Sequence, residues 1–273
     1  MPEMPEVETI ARKLRKTIIG KCVSEVDLSG LPLRRPIADT FAATLSGRTV
    51  RRIHRRGKYL IAEMDPRAFW LIHLGMSGRI IFLPGSTEKA SHTHATIRFT
   101  DATQLQYRDH RRFGLLAAYE VSGLTEIPEV RGLGIDPFGR GFTAAWLWQQ
   151  LKRSRQEIKS FLLDQRRVAG LGNIYVCEAL YHARLKPQRR CYTVTLHEAA
   201  SLAKAIGKVL RQAIRSRGTT FSDFMDSDGE LGLYQNFLRV FQREGKRCGR
   251  CRSLIRRLHQ GNRSSYFCPG CQT

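Results

Sequence analysis

Along the first twenty residues the apolar positions recur with a helical period. Val7, Ile10, Leu14 and Ile18 fall at i, i+3, i+7 and i+11, one stripe on a 3.6-residue helix. Pro5 suits a first turn, where a missing N–H costs nothing. Glu6 and Glu8 come early and Arg12, Lys13, Arg15 and Lys16 late, as the helix dipole favours, and Gly20 is a natural stop. From residue 22 to about 120 the pattern shortens. Val23 to Leu28 and Arg98 to Thr100 alternate, and Val50 to Ile53, Lys58 to Met64, Phe69 to His73 and Ile80 to Phe82 are further strand candidates. Short strands punctuated by Gly and Pro predict a β-sandwich or flattened barrel with the first helix packed on it.

Pro128, Gly132, Gly134, Pro137, Gly139 and Gly141 crowd residues 121–142, a density of breakers expected of a connection between domains. Helical periodicity returns at Thr143, which can cap a helix through Trp146, Leu147 and Leu151. A second helix is expected over about 155–164 and a third from Ile174 to about Tyr181. Thr195 and Glu198 form a capping box for a long helix with Leu196, Ala199, Leu202, Ile206, Val209, Leu210 and Ala213 inward, ending at Arg215–Gly218. Thr219 to Gly232 reads as a long loop, a length that is often functional. Leu254 to His259 and Arg263 to Phe267 are two last strands around a Gln260-Gly261-Asn262 turn.

Charge sharpens this picture. The 273 residues hold 46 Lys and Arg against 24 Asp and Glu, a formal charge of +22, with 42% hydrophobic residues. The chain can build a real core, and its field suits a polyanion, nucleic acid above all. No apolar run approaches the roughly 20 residues of a spanning helix, and no leader pattern opens the chain. An intracellular protein is expected.

Of seven cysteines, Cys22, Cys177 and Cys191 are scattered and read as small buried thiols. Cys248, Cys251, Cys268 and Cys271 are spaced as C-x2-C-x16-C-x2-C, the pattern of a tetrathiolate zinc site. Four sulfurs leave no open position, so one structural Zn2+ is expected, stabilising a hairpin too small to fold alone and presenting Arg263 at its tip.

The chain starts Met1-Pro2-Glu3-Met4-Pro5-Glu6. With Met1 removed, Pro2 carries a free secondary amine that titrates near pH ~8 and can form a Schiff base. Two carboxylates, Glu3 and Glu6, lie close by in sequence. The same residues also make an ordinary first turn of a helix. Arg51 to Tyr59 is basic and sets Lys58 at the start of a strand. His73-Leu74-Gly75-Met76-Ser77-Gly78 places a Met on a glycine-bounded tip, core filler or a wedge between bases. Arg108 to Gly114 sets cations beside Phe113, a surface that can stack on bases. Gly170-Leu171-Gly172-Asn173 at a helix start exposes backbone N–H groups to an anion.

Met-Pro-Glu-Met-Pro-Glu-Val-Glu-Thr, Arg-Gly-Lys-Tyr-Leu, His-Leu-Gly-Met-Ser-Gly, Arg-Arg-Phe-Gly, Gly-Leu-Gly-Asn-Ile-Tyr, Gly-Thr-Thr and the four cysteines occur in this order over essentially the whole chain. The ordered set resembles the formamidopyrimidine-DNA glycosylase family, bacterial enzymes that excise oxidised purines. The resemblance implies an α+β protein: an N-terminal β-sandwich with a catalytic N-terminal helix, a helix-two-turn-helix domain and a zinc-stabilised β-hairpin. The expected bounds are 2–120, a linker over 121–142, then 143–235 and 239–273. It implies a bifunctional glycosylase and abasic-site lyase acting on double-stranded DNA with damaged bases or abasic sites, as a monomer in the bacterial cytoplasm with the nucleoid and not on a membrane. Pro2 would attack C1′, Glu3 would act as general acid, Lys58 would grip phosphate and assist β-elimination, and Arg263 would hold the lesion phosphates and assist δ-elimination. Asn173 would bind the same phosphates. Met76, Arg111 and Phe113 would fill the gap left by the everted nucleotide, with His73, His92 and Arg155 as further DNA contacts, and the loop from Thr219 would cover the flipped base. Met4 replaces the family's usual Leu, His110 its Pro, and Ser91-His92-Thr93-His94 a Lys-His-Asp-His; the last bears on the role of His92. The sister type, similar to endonuclease VIII and acting on oxidised pyrimidines, is the nearest alternative. A DNA-binding zinc protein without chemistry is another.

Overall fold

The stripe read from the N-terminus is fully used: Val7, Ile10, Leu14 and Ile18 are at most 1% exposed. A computed structural model describes residues 2–85, 87–220 and 231–273, and the chain divides into two units. The first runs to Gly132 and takes in Ser216–Leu233; the second is Leu133–Arg215 with Tyr234–Thr273.

In the first unit α1 (Met4–Thr17) precedes β1 (Val23–Leu28), α2 (Thr40–Leu45), β2 (Thr49–Arg56), β3 (Tyr59–Asp65), β4 (Ala68–His73), β5 (Arg79–Leu83), β6 (Thr93–Phe99), β7 (Gln104–Arg108), β8 (Leu115–Tyr119) and α3 (Pro128–Arg131). The strands make two antiparallel sheets, ordered β1-β6-β7-β5 and β2-β3-β4-β8. Side chains alternate across a strand, so β3 sends Leu60, Ala62 and Met64 into the main core, shared with α1, and Ile61 into a second cluster with Phe69, Leu71, Ile127 and Val130. Within the stretch 121–142 expected as a linker, Ile127 and Val130 pack on the outer face of the second sheet.

Two strands and two short helices, α2 and α3, escaped sequence reading. β7 alternates, but Gln104 and Gln106, at 1% and 0% exposed, are buried along with Leu105 and Tyr107. β8 reads Leu-Leu-Ala-Ala-Tyr, which periodicity cannot tell from a helix. Six-residue α2 is too short to show a period. Lys58 lies just before its expected strand, in the two-residue Gly57-Lys58 turn that the Arg56–Tyr59 pairing closes.

The second unit holds α4 (Ala144–Lys152), α5 (Ile158–Leu163), α6 (Asn173–His182), α7 (Leu196–Arg215), β9 (Arg256–Gln260) and β10 (Arg263–Phe267). Thr143 caps α4, its hydroxyl accepting from the Trp146 N–H at 3.1 Å. α5 starts later than expected because Glu157 bridges Arg190 in extended conformation. α7 buries Ala199, Leu202, Ile206, Val209, Leu210 and Ala213, but Leu196, in its first turn, is 50% exposed. Cys177 and Cys191 are fully buried. Among the described residues no helix is long and apolar enough to cross a membrane.

Candidate active site

Glu6 organises the start of the chain. Its carboxylate is 2% exposed and accepts from the Glu3 N–H at 2.8 Å and from the Thr219 N–H at 2.7 Å. Glu6 thus forms one half of a capping box at the start of α1, the Glu3 side chain accepting from the Glu6 N–H in return, and ties that start to the segment entering the 219–232 loop. Gly218 (φ +85) lies so close that a Cβ there would meet Glu6 Oε1 at 2.7 Å; both its dihedral and the contact demand glycine. The loop base is closed by Leu233 N–H donating to Ser216 O and Gly232 N–H to the Thr220 hydroxyl, both at 2.8 Å. Residues 221–230, the part expected to cover a base, lie outside the described residues. Pro2 and Glu3 are buried at the tip of α1. Glu8 anchors the helix to the second sheet, accepting from Arg12 and Arg15 at 3.1 Å and from Arg55 of β2 at 3.0 Å. Burial opposes ionisation of Glu8, but these cations win and hold its pKa below the usual value.

Lys58 is 8% exposed and electrostatically close to His73. Burial first, then Lys58 and Arg34, lower His73 to about 4. The ring is neutral, and because the Gly75 N–H donates to Nδ1 at 3.0 Å, the remaining proton sits on Nε2, a neutral donor suited to a phosphate oxygen. Tyr59 lies across from it, ring centroids 4.8 Å apart. Met76 and Phe113 are 37% and 47% exposed, so both apolar side chains are accessible at the surface. The Arg111 guanidinium stacks over Phe113 at 5.0 Å. His92 is exposed in a left-handed conformation (φ 62), its ring edge-on to His110 at 6.3 Å.

In the second unit the turn before α6 is set by Gln165, whose side chain donates to Leu171 O and accepts from the Gly170 N–H, each at 2.8 Å. This presents Asn173 at the start of α6. Its Nδ2 donates to Ser264 O at 3.0 Å, and its Oδ1 is buried without a hydrogen-bond partner among the described residues. Asn173 thus leans on β10 beside Arg263, which is exposed and follows the tight Gly261-Asn262 turn. Arg155 is exposed just before α5.

Two buried charges here went unnoticed in the sequence. Lys159, 1% exposed, donates to Ser264 O at 3.0 Å and Ser265 Oγ at 2.6 Å, pinning the strand that carries Arg263. Glu178, fully buried, accepts the backbone N–H groups of Arg239, Val240 and Phe241, each at 2.9 Å, fixing the chain leading to the hairpin. Glu178 sits inside an apolar run and Lys159 in a polar helix start, and nothing local marks the partner of either.

The four cysteine sulfurs lie within 4.8 Å of one another, with Cys248–Cys271 at 3.8 Å and Cys251–Cys268 at 3.4 Å. A tetrahedral site with Zn–S of about 2.3 Å needs sulfurs about 3.8 Å apart, so the donor set fits a structural Zn2+. Cys248 is lowered to about 6 against the effect of its burial, through the Tyr181 hydroxyl and nearby N–H groups. Burial and its sulfur neighbours push Cys271 up to about 12. Thiols this crowded share ionisation poorly until a cation joins them.

Comparison with known proteins gives a consistent result. Residues 1–116 match the formamidopyrimidine-DNA glycosylase N-terminal domain, 133–225 the formamidopyrimidine-DNA glycosylase H2TH domain, and 245–273 the zinc finger found in FPG and IleRS. The formamidopyrimidine-DNA glycosylases of Pelotomaculum thermopropionicum and Dinoroseobacter shibae are each 40% identical to the chain, covering all of it and 99% and 100% of their own lengths. Lactococcus lactis Fpg in complex with an abasic site containing DNA superposes with a TM-score of 0.91 at 31% identity, covering both chains fully. MutM (FPG) protein from Thermus thermophilus gives 0.88 at 36% identity, covering 99% of this chain and 98% of its own.

Proposed function

The chain belongs to the formamidopyrimidine-DNA glycosylase family, and we propose on that footing that it is a bifunctional DNA glycosylase and abasic-site lyase of base excision repair, removing oxidised purines from duplex DNA. The Pro2 amine, freed of Met1, attacks C1′ of the damaged nucleotide. The bond from C1′ to the base breaks, and the base leaves with the bonding pair and takes up a proton equivalent to the one the amine gives up. Glu3 delivers a proton to the deoxyribose ring oxygen, the ring opens, and an iminium joins Pro2 to C1′. Loss of a C2′ proton expels the 3′ phosphate, and a second elimination expels the 5′ phosphate. Lys58 and Arg263 neutralise the phosphates that depart, and His73 and Asn173 hold the same strand. Zn2+ takes no part in these steps; it supports the hairpin bearing Arg263. The +22 charge supplies the sequence-independent part of DNA binding. The protein works in the bacterial cytoplasm, at the nucleoid.

The observation that carries this reading is the buried Glu6 carboxylate, which takes both the Glu3 and the Thr219 N–H. A buried carboxylate is costly unless donors satisfy it, and one of the two donors that satisfy this one is the N–H of the residue next to the nucleophile. Borohydride trapping on 8-oxoguanine duplex tests the proposal, using protein shown by mass spectrometry to lack Met1. A covalent adduct that vanishes in Pro2→Gly is expected. DNA binding without adduct would leave a zinc protein without chemistry, and preference for thymine glycol over 8-oxoguanine would favour the pyrimidine type.

A further inference from the structure

Two loops of the first unit carry the exposed groups read above as fillers of the gap left by an everted nucleotide: Leu74–Gly78 with Met76, and Asp109–Gly114 with Arg111 and Phe113. The structure joins them through buried polar groups that this reading does not use. Tyr107, on β7 and 1% exposed, donates its hydroxyl to His73 O at 3.2 Å. That hydroxyl fills the space where a Cβ would stand on Gly78 (2.6 Å) and on Gly114 (1.6 Å). Asp109, also 1% exposed, accepts from Ser77 Oγ at 2.5 Å, from the Gly114 N–H at 2.8 Å and from the Arg111 N–H at 3.3 Å. Its carbonyl accepts from His94 Nε2 at 3.0 Å and the Arg112 N–H at 3.2 Å. The two backbones also touch directly: a Cβ on Gly75 (φ +58) would meet Phe113 C and O at 2.4 Å. Between the stacked Arg111 and Phe113, Arg112 is held at φ 56, a conformation that persists in a non-glycine residue only when its surroundings impose it.

We propose that Tyr107 and the Ser77–Asp109 pair are positioning residues that weld the Met76 loop and the Arg111–Phe113 loop into one rigid wedge, so that its side chains enter the DNA stack together when the damaged nucleotide leaves it. Burial, and then the Asp109 carboxylate, raise the Tyr107 hydroxyl well above its ordinary value, so it stays a donor at any working pH. The economics of extrusion explain the need. Unstacking costs several kcal/mol, and a filler that is pre-organised loses little freedom on insertion, whereas two independent loops would each be ordered at that moment. The inference rests on the proposed wedge role of Met76, Arg111 and Phe113.

The test pairs Ser77→Ala/Tyr107→Phe, which cuts both ties and touches no exposed side chain, with Met76→Ala/Phe113→Ala, which removes the filler itself. Single-turnover excision is measured on 8-oxoguanine paired with cytosine and on the same lesion in a mispaired bubble, where no unstacking is needed. Borohydride trapping at an abasic site in a like bubble reports the chemistry. The tie variant is expected to be slowed about tenfold on the paired duplex, the scale of two lost hydrogen bonds, and to stay within about twofold on both bubbles. Parental rates for the tie variant on the paired duplex, with the filler variant slow, would overturn the weld and leave the wedge standing. Equal slowing on all three substrates would also overturn it, marking general damage. A filler variant as fast as the parent on the paired duplex would remove the wedge itself. Should the double tie variant unfold at assay temperature, Ser77→Ala alone, which removes one oxygen, carries the same comparison with about a threefold effect.

Discussion

Glu6→Gln is the most informative single substitution at the N-terminal tip. The native carboxylate is buried and faces two N–H donors, Glu3 at 2.8 Å on Oε2 and Thr219 at 2.7 Å on Oε1. Glutamine keeps one acceptor and turns an NH2 toward the other donor. One charge-assisted bond is lost outright, worth about 1.5–3 kcal/mol, and the remaining one becomes a weaker neutral bond. A local loss of about 2–3 kcal/mol follows. Gly218 is packed against the Glu6 side chain, so the change reaches Glu3 and the loop base together. Native-state hydrogen exchange reads both ends separately: the Glu3 and Thr219 amides should lose about 30- to 160-fold of their protection, while amides in the middle of α7, which ends before the loop, stay unchanged. A shift of a few tenths of an ångström at Pro2 and Glu3 should slow Schiff-base trapping by about tenfold or more. Parental protection at Thr219 together with a parental trapping rate would refute the argument that Glu6 positions the tip.

Other outcomes follow from the same geometry. His73 is held at about 4 against an ordinary 6.5. The unfolded chain therefore takes up a proton that the folded one refuses; the associated stability is complete above pH 6.5 and is lost as pH falls through the window to 4. The parent should lose about 2 kcal/mol from this group by pH 5, and denaturant midpoints for His73→Gln should fall less over that range; equal slopes would contradict the assignment. Chelation of Zn2+, or Cys268→Ser, should unfold the hairpin and abolish strand incision, with activity returning on zinc only after chelation; incision by zinc-free protein, checked by metal analysis, would speak against the structural role. Lys58→Ala should weaken DNA binding at all sequences and lower the slope of log K against log salt by about one; an unchanged slope would remove Lys58 from the phosphate contacts. Lys159→Ala should destabilise the second unit by about 2–4 kcal/mol, as it leaves Ser264 O and Ser265 Oγ without their shared donor, and should weaken retention of incised DNA; parental unfolding would show that Arg263 is held by other means.

What the amino-acid order determined alone is whatever is encoded within a few residues. The α1 stripe, the Thr143 cap and the Cys248–Cys271 spacing are read directly, because helical pitch, capping geometry and metal coordination fix short separations. Where both faces of a strand are buried, as in β8, the alternation that marks strands disappears, and the short α2 shows no period at all. The polar ties lay beyond such reading. Glu6 meets Thr219 across 213 residues, Lys159 meets Ser264 across 105, and Ser77 meets Asp109 across 32. A buried charge or hydroxyl takes whichever polar group the fold leaves unsatisfied beside it, and only the folded chain decides which group that is.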